Sequence, residues 1–220
     1  MKFARLLQFA FIVVAALLVY SFVASAQDGE LRRSCASLCA VSPNYVGDDR
    51  LAPDIRLKDL NGTTTQLSSL RGKTVVLVFW TTTCAGCKQQ MPSVAELAEI
   101  ARGNARLAVL TVAVDDSPDA VRRQVLATTH RSDPFPVLLD PESEYVLNRY
   151  GTRMFPETWV IDPQGVIRAR FDGPRDWSSP VMLELLEDIG RGDRCPVEVQ
   201  GGVVSGRGAS LCRSISAEGN

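Results

Sequence analysis

A run of β-branched and apolar residues, Val75-Val76-Leu77-Val78-Phe79-Trp80, ends four residues before the cysteine pair of Cys84-Ala85-Gly86-Cys87. A strand with both faces covered reads as such a run, because alternation disappears when neither face meets water. The residues after it carry a helical period, with Met91, Val94, Leu97 and Ile100 at spacings of three. The cysteine pair therefore lies where a buried strand feeds a helix. Helix N-termini leave backbone N–H groups unpaired and favour negative charge. A thiolate placed there is stabilised and becomes a nucleophile near neutral pH. The two-residue spacer lets the second sulfur reach the first. Cys84 is the candidate nucleophile and Cys87 the candidate resolving thiol.

Other uses of the pair are weaker. A zinc site needs more ligands at metal spacing, and the single histidine, His130, lies far from any C-x-x-C. His130 reads as a surface residue near a helix end.

The pattern around the motif alternates strands with helices. Asp54–Leu60 and Thr63–Leu67 flank the turn Asn61-Gly62. Arg106–Val114 is a second buried strand. Ser117-Pro118 caps a helix to about Thr129. Pro136–Leu139 is a short strand, and Asp140-Pro141 starts a helix ending near Tyr150-Gly151. Thr158–Ile161 and Val166–Phe171 pair antiparallel through Asp162-Pro163-Gln164-Gly165. Ser179-Pro180 caps a last helix whose apolar face is Met182, Leu185, Leu186 and Ile189. Pro92 falls inside the motif helix and predicts a kink. The expected fold is α/β, a central mixed sheet flanked by helices.

The ends differ from this core. Lys2 and Arg5 precede an apolar run, Phe9–Tyr20, and Ala24-Ser25-Ala26 is a small-x-small site. Residues 1–26 are expected to be a signal peptide, or an uncleaved anchor, since Leu6–Gln27 is long enough to span a bilayer. Either way the rest is exported, to the periplasm or beyond the cell. Residues 27–50 form a polar extension, 51–190 the patterned domain, and 191–220 a Gly- and Ser-rich tail or small hairpin. The net charge is −1 over 220 residues, with no basic block, which excludes nucleic acid as a partner.

Export matters for the remaining cysteines, because disulfides persist in oxidising compartments. Cys35 and Cys39 stand at i, i+4. Cys195 and Cys212 enclose the Gly-rich tail, which has little apolar content to hold it. Structural disulfides Cys35–Cys39 and Cys195–Cys212 are expected. Cross-pairing of the two ends and Cu(I) binding by soft thiolates are the alternatives.

From Leu51 to Gly190 the chain resembles the thioredoxin superfamily, most closely the exported TlpA/ResA/CcmG group. The resemblance rests on Ala52-Pro53-Asp54, Leu60-Asn61-Gly62, Leu70-Arg71-Gly72-Lys73, Phe79-Trp80, the C-x-x-C and Pro92. It continues through Tyr150-Gly151, Phe155-Pro156-Glu157-Thr158, Ile161–Gly165 and Gly173–Ser179. It implies a thioredoxin-like fold and a thiol:disulfide oxidoreductase with no cofactor besides the redox-active Cys84–Cys87 disulfide. It also implies protein disulfide substrates, of the cytochrome c or copper-protein maturation type, and a membrane thiol reductase as electron donor. No metal is implied, and a monomer is expected. Pro156 would be a cis-proline facing the disulfide, with Phe155 offering its backbone to substrate. Trp80, Thr83 and Glu157 would complete the surroundings.

Three positions depart from family patterns. Val78 stands where thioredoxin has a buried acid. Gln90 stands where ResA-like reductases have a glutamate. Thr83 replaces the usual tryptophan. A missing carboxylate removes a proton acceptor for the resolving thiol. Glu157 is either its substitute or an exposed residue. Thr81-x-x-Cys84 also resembles a peroxiredoxin motif, although Leu77 occupies that family's proline position. A thiol peroxidase and a non-catalytic partner- or copper-binding module are the alternative readings.

Overall fold

The structure is a computed structural model of the 220-residue chain. It describes residues 2–35, 50–115, 117–192, 198–200 and 203–205. The described residues divide into two compact units, one holding 2–35 with 198–200 and 203–205, the other holding 50–115 and 117–192.

In the first unit, α1 (Lys2–Cys35) is one continuous helix. Its stretch Gln8–Gln27 is 20 residues long, apolar and unburied, enough to cross a membrane by length and composition. The helix continues past Ala26 into the segment expected to be a polar extension. The strands β8 (Glu198–Gln200) and β9 (Val203–Ser205) pair antiparallel. The expected bonds of Cys35, Cys39, Cys195 and Cys212 lie outside the described residues.

The second unit begins with a two-stranded ribbon, β1 (Arg56–Lys58) and β2 (Thr64–Gln66), followed by a single 3₁₀ turn at Leu67–Leu70. Its main sheet contains β3 (Thr74–Trp80), β4 (Leu107–Ala113), β5 (Val137–Leu139), β6 (Glu157–Ile161) and β7 (Ile167–Asp172), in the order β5-β4-β3-β6-β7. The pairs β3–β4 and β4–β5 are parallel, while β6 and β7 run antiparallel to their neighbours. All seven residues of the central strand β3 are buried, as its unbroken apolar run requires.

Alternation then decides which side chains meet. Val75, Leu77 and Phe79 point to one face, where they pack with Leu110, Val112, Trp159, Ile161, Tyr150 and Ile55. The other face carries Val76, Val78 and Trp80. It is covered by α2 (Ala85–Arg102), which lies against β4, and α4 (Pro180–Arg191), which lies against β3. The helix α3 (Pro118–Thr129) packs on α2 and ends at exposed His130, whose φ of 57° closes it in the left-handed region. Pro92 sits inside α2, which stays one uninterrupted helix.

The β6–β7 turn is built on Asp162. Its Oδ1 accepts from the backbone of Gln164 and Val166, both at 2.9 Å, and its Oδ2 from Arg168 Nε at 2.6 Å. Gly165 closes the turn at φ 80°, and a Cβ there would lie 0.9 Å from the Arg71 guanidinium. The positive φ is what favours glycine here, since the guanidinium is the movable end of a flexible side chain.

One expected element is different. The segment after Asp140-Pro141 is not a full helix but one π-helical turn, Glu144–Arg149, closed by Tyr150 N–H donating to Tyr145 O at 2.9 Å. Ser143, with φ 55°, breaks the chain direction just before it. The buried Asp140 carboxylate accepts from the backbone of Glu144, Tyr145 and Val146 at 2.9–3.1 Å, so a side chain satisfies the turn's open donors.

Candidate active site

Cys84 and Cys87 form a disulfide at the start of α2, with Cα atoms 5.2 Å apart. Cys84 is the residue that caps the helix, with extended φ and ψ of −79° and 117°. Its Sγ accepts the N–H of Cys87 at 3.0 Å, the place a serine or aspartate oxygen takes in an ordinary cap. Its carbonyl accepts the N–H of Lys88 at 3.2 Å, opening the helical ladder. The two sulfurs differ in access: Cys84 is half-buried and Cys87 fully buried. A thiolate at position 84 would meet an N–H donor and the positive end of an 18-residue helix.

The turn from β3 into α2 is Thr81-Thr82-Thr83. Thr83 is exposed and Trp80 buried. Opposite the disulfide, the Phe155–Pro156 peptide bond is cis, and Pro156 is buried. Phe155 is partly buried against the core. Met154, one residue earlier, is 73% exposed, so apolar surface borders the site. The Pro156 carbonyl accepts from Gly173 at 2.9 Å, which brings the loop after β7 to the same corner. A Cβ on Gly86 would lie 3.2 Å from Pro156 Cδ and 3.3 Å from Pro174 Cδ. The first turn of α2 is thus held between two prolines from separate loops, and its lack of a side chain at position 86 permits the approach.

Ser93 ties that loop to α2. Its hydroxyl lies 2.8 Å from Gln90 O and 3.2 Å from Arg175 O, and it accepts the Trp177 N–H at 3.1 Å. A cleft of about 350 Å³ remains between helix and loop, lined by Gln89, Gln90, Pro92, Ser93, Pro174 and Arg175 among others.

The carboxylate expected near the disulfide is not exposed. Glu157 is 1% exposed and pairs in register with Phe79, on the sheet face opposite Val78. Burial pushes its carboxyl above the ordinary range, against the Thr152 hydroxyl bond and the Arg170 charge, which pull it down. Arg170 reaches it at 2.9 Å. Gln90 is also buried, three residues beyond Cys87 on the same helix, and its Oε1 accepts from Trp177 Nε1 at 3.4 Å. Its Nε2 finds no acceptor among the described residues.

Two groups escaped the sequence reading. Pro174 shows its role only through Gly86. Asp115 stands just past the end of β4, in contact with Thr81 and Thr82. The available signal was position, since sites in α/β sheets gather at the carboxyl ends of parallel strands.

A mixed five-stranded sheet with a disulfide at a helix N-terminus beside a cis-proline defines a thioredoxin-fold dithiol site. Residues 49–170 match the AhpC/TSA family. The chain is 34% identical over 124 residues to the thioredoxin-like protein YneN of Bacillus subtilis (strain 168), covering 56% of this chain and 70% of that protein. It is 34% identical over 122 residues to the thiol-disulfide oxidoreductase ResA of Geobacillus thermodenitrificans, covering 56% and 67%. Among solved structures it is similar to the pneumococcal exposed lipoprotein thioredoxin of Streptococcus pneumoniae (TM-score 0.51, 27% identity, 62% of this chain and 99% of that one). It is also similar to a Chlorobium tepidum protein described as a thiol:disulfide interchange protein DsbE (TM-score 0.54, 26% identity, 66% and 96%). The chain belongs to the AhpC/TSA family, in its thioredoxin-like TlpA/ResA/CcmG branch, and is a thiol:disulfide oxidoreductase.

Proposed function

We propose that this oxidoreductase works outside the cytoplasm as a reductase of protein disulfides, of the kind used in cytochrome c or copper-protein maturation, through Cys84 and Cys87. The observation that carries the reading is the Cys87 N–H donating to Cys84 Sγ at the cap of α2. That bond favours the thiolate at the more accessible sulfur. In the reduced protein, the Cys84 thiolate attacks one sulfur of a substrate disulfide. A mixed disulfide forms and one substrate thiolate leaves. Cys87 then loses its proton and attacks Cys84 Sγ, which releases the second substrate thiolate and closes the Cys84–Cys87 disulfide. Two electrons have passed to the substrate. A membrane thiol reductase returns them by the reverse exchange.

Phe155 and Pro156 form the substrate-side wall, where an extended peptide could hydrogen-bond to the Phe155 backbone, just ahead of β6. Trp80 and Thr83 shape the turn in front of Cys84. The apolar span Gln8–Gln27 supports export, as a signal or an anchor. The Cys35–Cys39 and Cys195–Cys212 pairs are proposed to clip the two flanks.

Insulin reduction by dithiothreitol-recycled protein tests the chemistry. Cys84→Ser should abolish turnover, and Cys87→Ser should accumulate a mixed disulfide with substrate. Full turnover by Cys87→Ser, with nothing trapped, would refute the roles. Rapid consumption of hydrogen peroxide would replace the reductase with a thiol peroxidase. Cell fractionation places the protein, and a cytoplasmic pool would end the export reading.

A further inference from the structure

We propose that Asp115 is a positioning residue for the redox site: it locks the Thr81–Thr83 turn and thereby sets the reactivity of Cys84. The inference rests on the reading of Cys84 as the nucleophile. Asp115 lies on the segment after β4, the parallel neighbour of the strand that delivers the motif. The two strands stay joined beyond their ends, with Val114 N–H donating to Trp80 O at 3.2 Å. That bond brings Asp115 beside the turn. Its half-buried carboxylate then accepts four hydrogen bonds from two consecutive residues. Thr81 Oγ1 donates at 3.0 Å and Thr82 Oγ1 at 2.5 Å, while the Thr82 N–H is shared between the two oxygens at 2.9 and 3.1 Å.

These contacts hold more than the threonines. Thr81 Oγ1 also lies 3.4 Å from Thr83 Oγ1, and the Thr81 carbonyl accepts the N–H of Cys84 at 3.3 Å. The turn has no helix or strand ladder of its own, so side-chain acceptors must supplement its one internal backbone bond. Bonds to an ionised carboxylate are the stronger kind. The extended conformation of Cys84, which aims Sγ at the Cys87 N–H, is the next link after them. Losing the anchor frees the turn, and the cap bond to sulfur is made for a smaller fraction of the time.

Geometry and charge predict opposite signs, which makes the inference testable. A nearby negative charge disfavours a second one, so an Asp115 acting by charge alone raises the thiol pKa and its removal lowers it. An Asp115 acting by position stabilises the thiolate through the cap, and its removal raises the pKa. Reduced full-length protein is alkylated with iodoacetamide across pH, and the rate at Cys84 is followed by peptide mass mapping, which separates it from the other cysteines. In Asp115→Ala the midpoint of the Cys84 profile should rise by about one pH unit, the scale of losing one capping interaction. Asp115→Asn keeps an acceptor for the Thr82 N–H and should recover most of the shift. Thr82→Val removes one hydroxyl only and should move the midpoint the same way by less; it carries the test if Asp115→Ala fails to fold. A midpoint that falls in both Asp115 variants, or stays unmoved in Asp115→Ala and Thr82→Val, overturns the proposal. The wild-type profile reads the underlying function separately, because an ordinary thiol midpoint at Cys84 in the unaltered protein counts against the nucleophile assignment whatever Asp115 does.

Discussion

The indole Nε1 of Trp177 donates to Gln90 Oε1 across 3.4 Å, and both side chains are buried. An indole can only donate, so it fixes which end of the amide faces it. The other end, Nε2, is a donor on the same buried stripe of α2 as Cys87. The buried face of α2 that carries Cys87 therefore presents a hydrogen-bond donor at position 90 rather than a carboxylate acceptor. Gln90→Glu should keep the indole bond and place a carboxylate there. Its charge disfavours a second anion, so the Cys87 thiol should titrate at higher pH than in the wild type. Carbon-13 NMR of labelled cysteine Cβ atoms in the reduced protein reads this directly. An unchanged or lowered Cys87 titration would show that residue 90 does not communicate with the sulfur.

Glu157 makes stability depend on pH with a definite sign. Its folded carboxyl is raised above 4.5 by burial. Between that value and the raised one, the folded state holds a proton that the unfolded state has released. Stability from this group is therefore highest at and below pH 4.5 and falls as pH rises through the window. Glu157→Gln removes the titration. Urea unfolding at several pH values should show the wild type losing ground to Glu157→Gln as pH rises above 4.5. The Arg170 partner changes the offset between the two curves but not the direction of their difference.

Gly86 sits under two proline rings, with its virtual Cβ 3.2 and 3.3 Å from Pro156 and Pro174. Alanine asks the rings to yield by a few tenths of an ångström, whereas valine adds carbons with no room. Gly86→Val should cost about 1–3 kcal/mol of stability and displace the Pro174 loop. Insulin reduction should fall further than for Gly86→Ala. Equal activity in the two variants would show that the close approach is not needed.

Tyr150 joins the core to the start of the domain. Its hydroxyl donates to Pro53 O at 2.8 Å, and its ring stacks edge-on with Phe79 at 5.0 Å and Trp159 at 5.4 Å. Burial pushes its phenol far above the ordinary range, so the hydroxyl stays a donor at all physiological pH values. Tyr150→Phe keeps the ring contacts and orphans the Pro53 carbonyl. A loss of about 1–2 kcal/mol in chemical denaturation is expected, with redox activity retained.

The sequence alone determined what depends on near neighbours. Val75–Trp80 had to be a doubly covered strand because it contains no polar face, and the helical period after Cys84 had to start at the cysteines. The Asp162–Gly165 turn follows from residues within four positions of each other. The α/β alternation, the mixed sheet and the thioredoxin-like resemblance were therefore legible without coordinates. Local signals erred where local partners compete: Asp140 and Ser143 confine the expected helix to the π-helical turn Glu144–Arg149. Only tertiary structure decided which polar groups meet. Thr82 finds Asp115 33 positions away and Trp177 finds Gln90 87 positions away, through strand order and loop return. Glu157 is buried because β6 pairs with β3 in a register that sets it beside Phe79, where Thr152 and Arg170 supply its partners. Apolar patterning is written along the chain, because burial requires only an inward face. A hydrogen bond requires two particular atoms within about 3 Å, and that is settled only when the sheet has assembled.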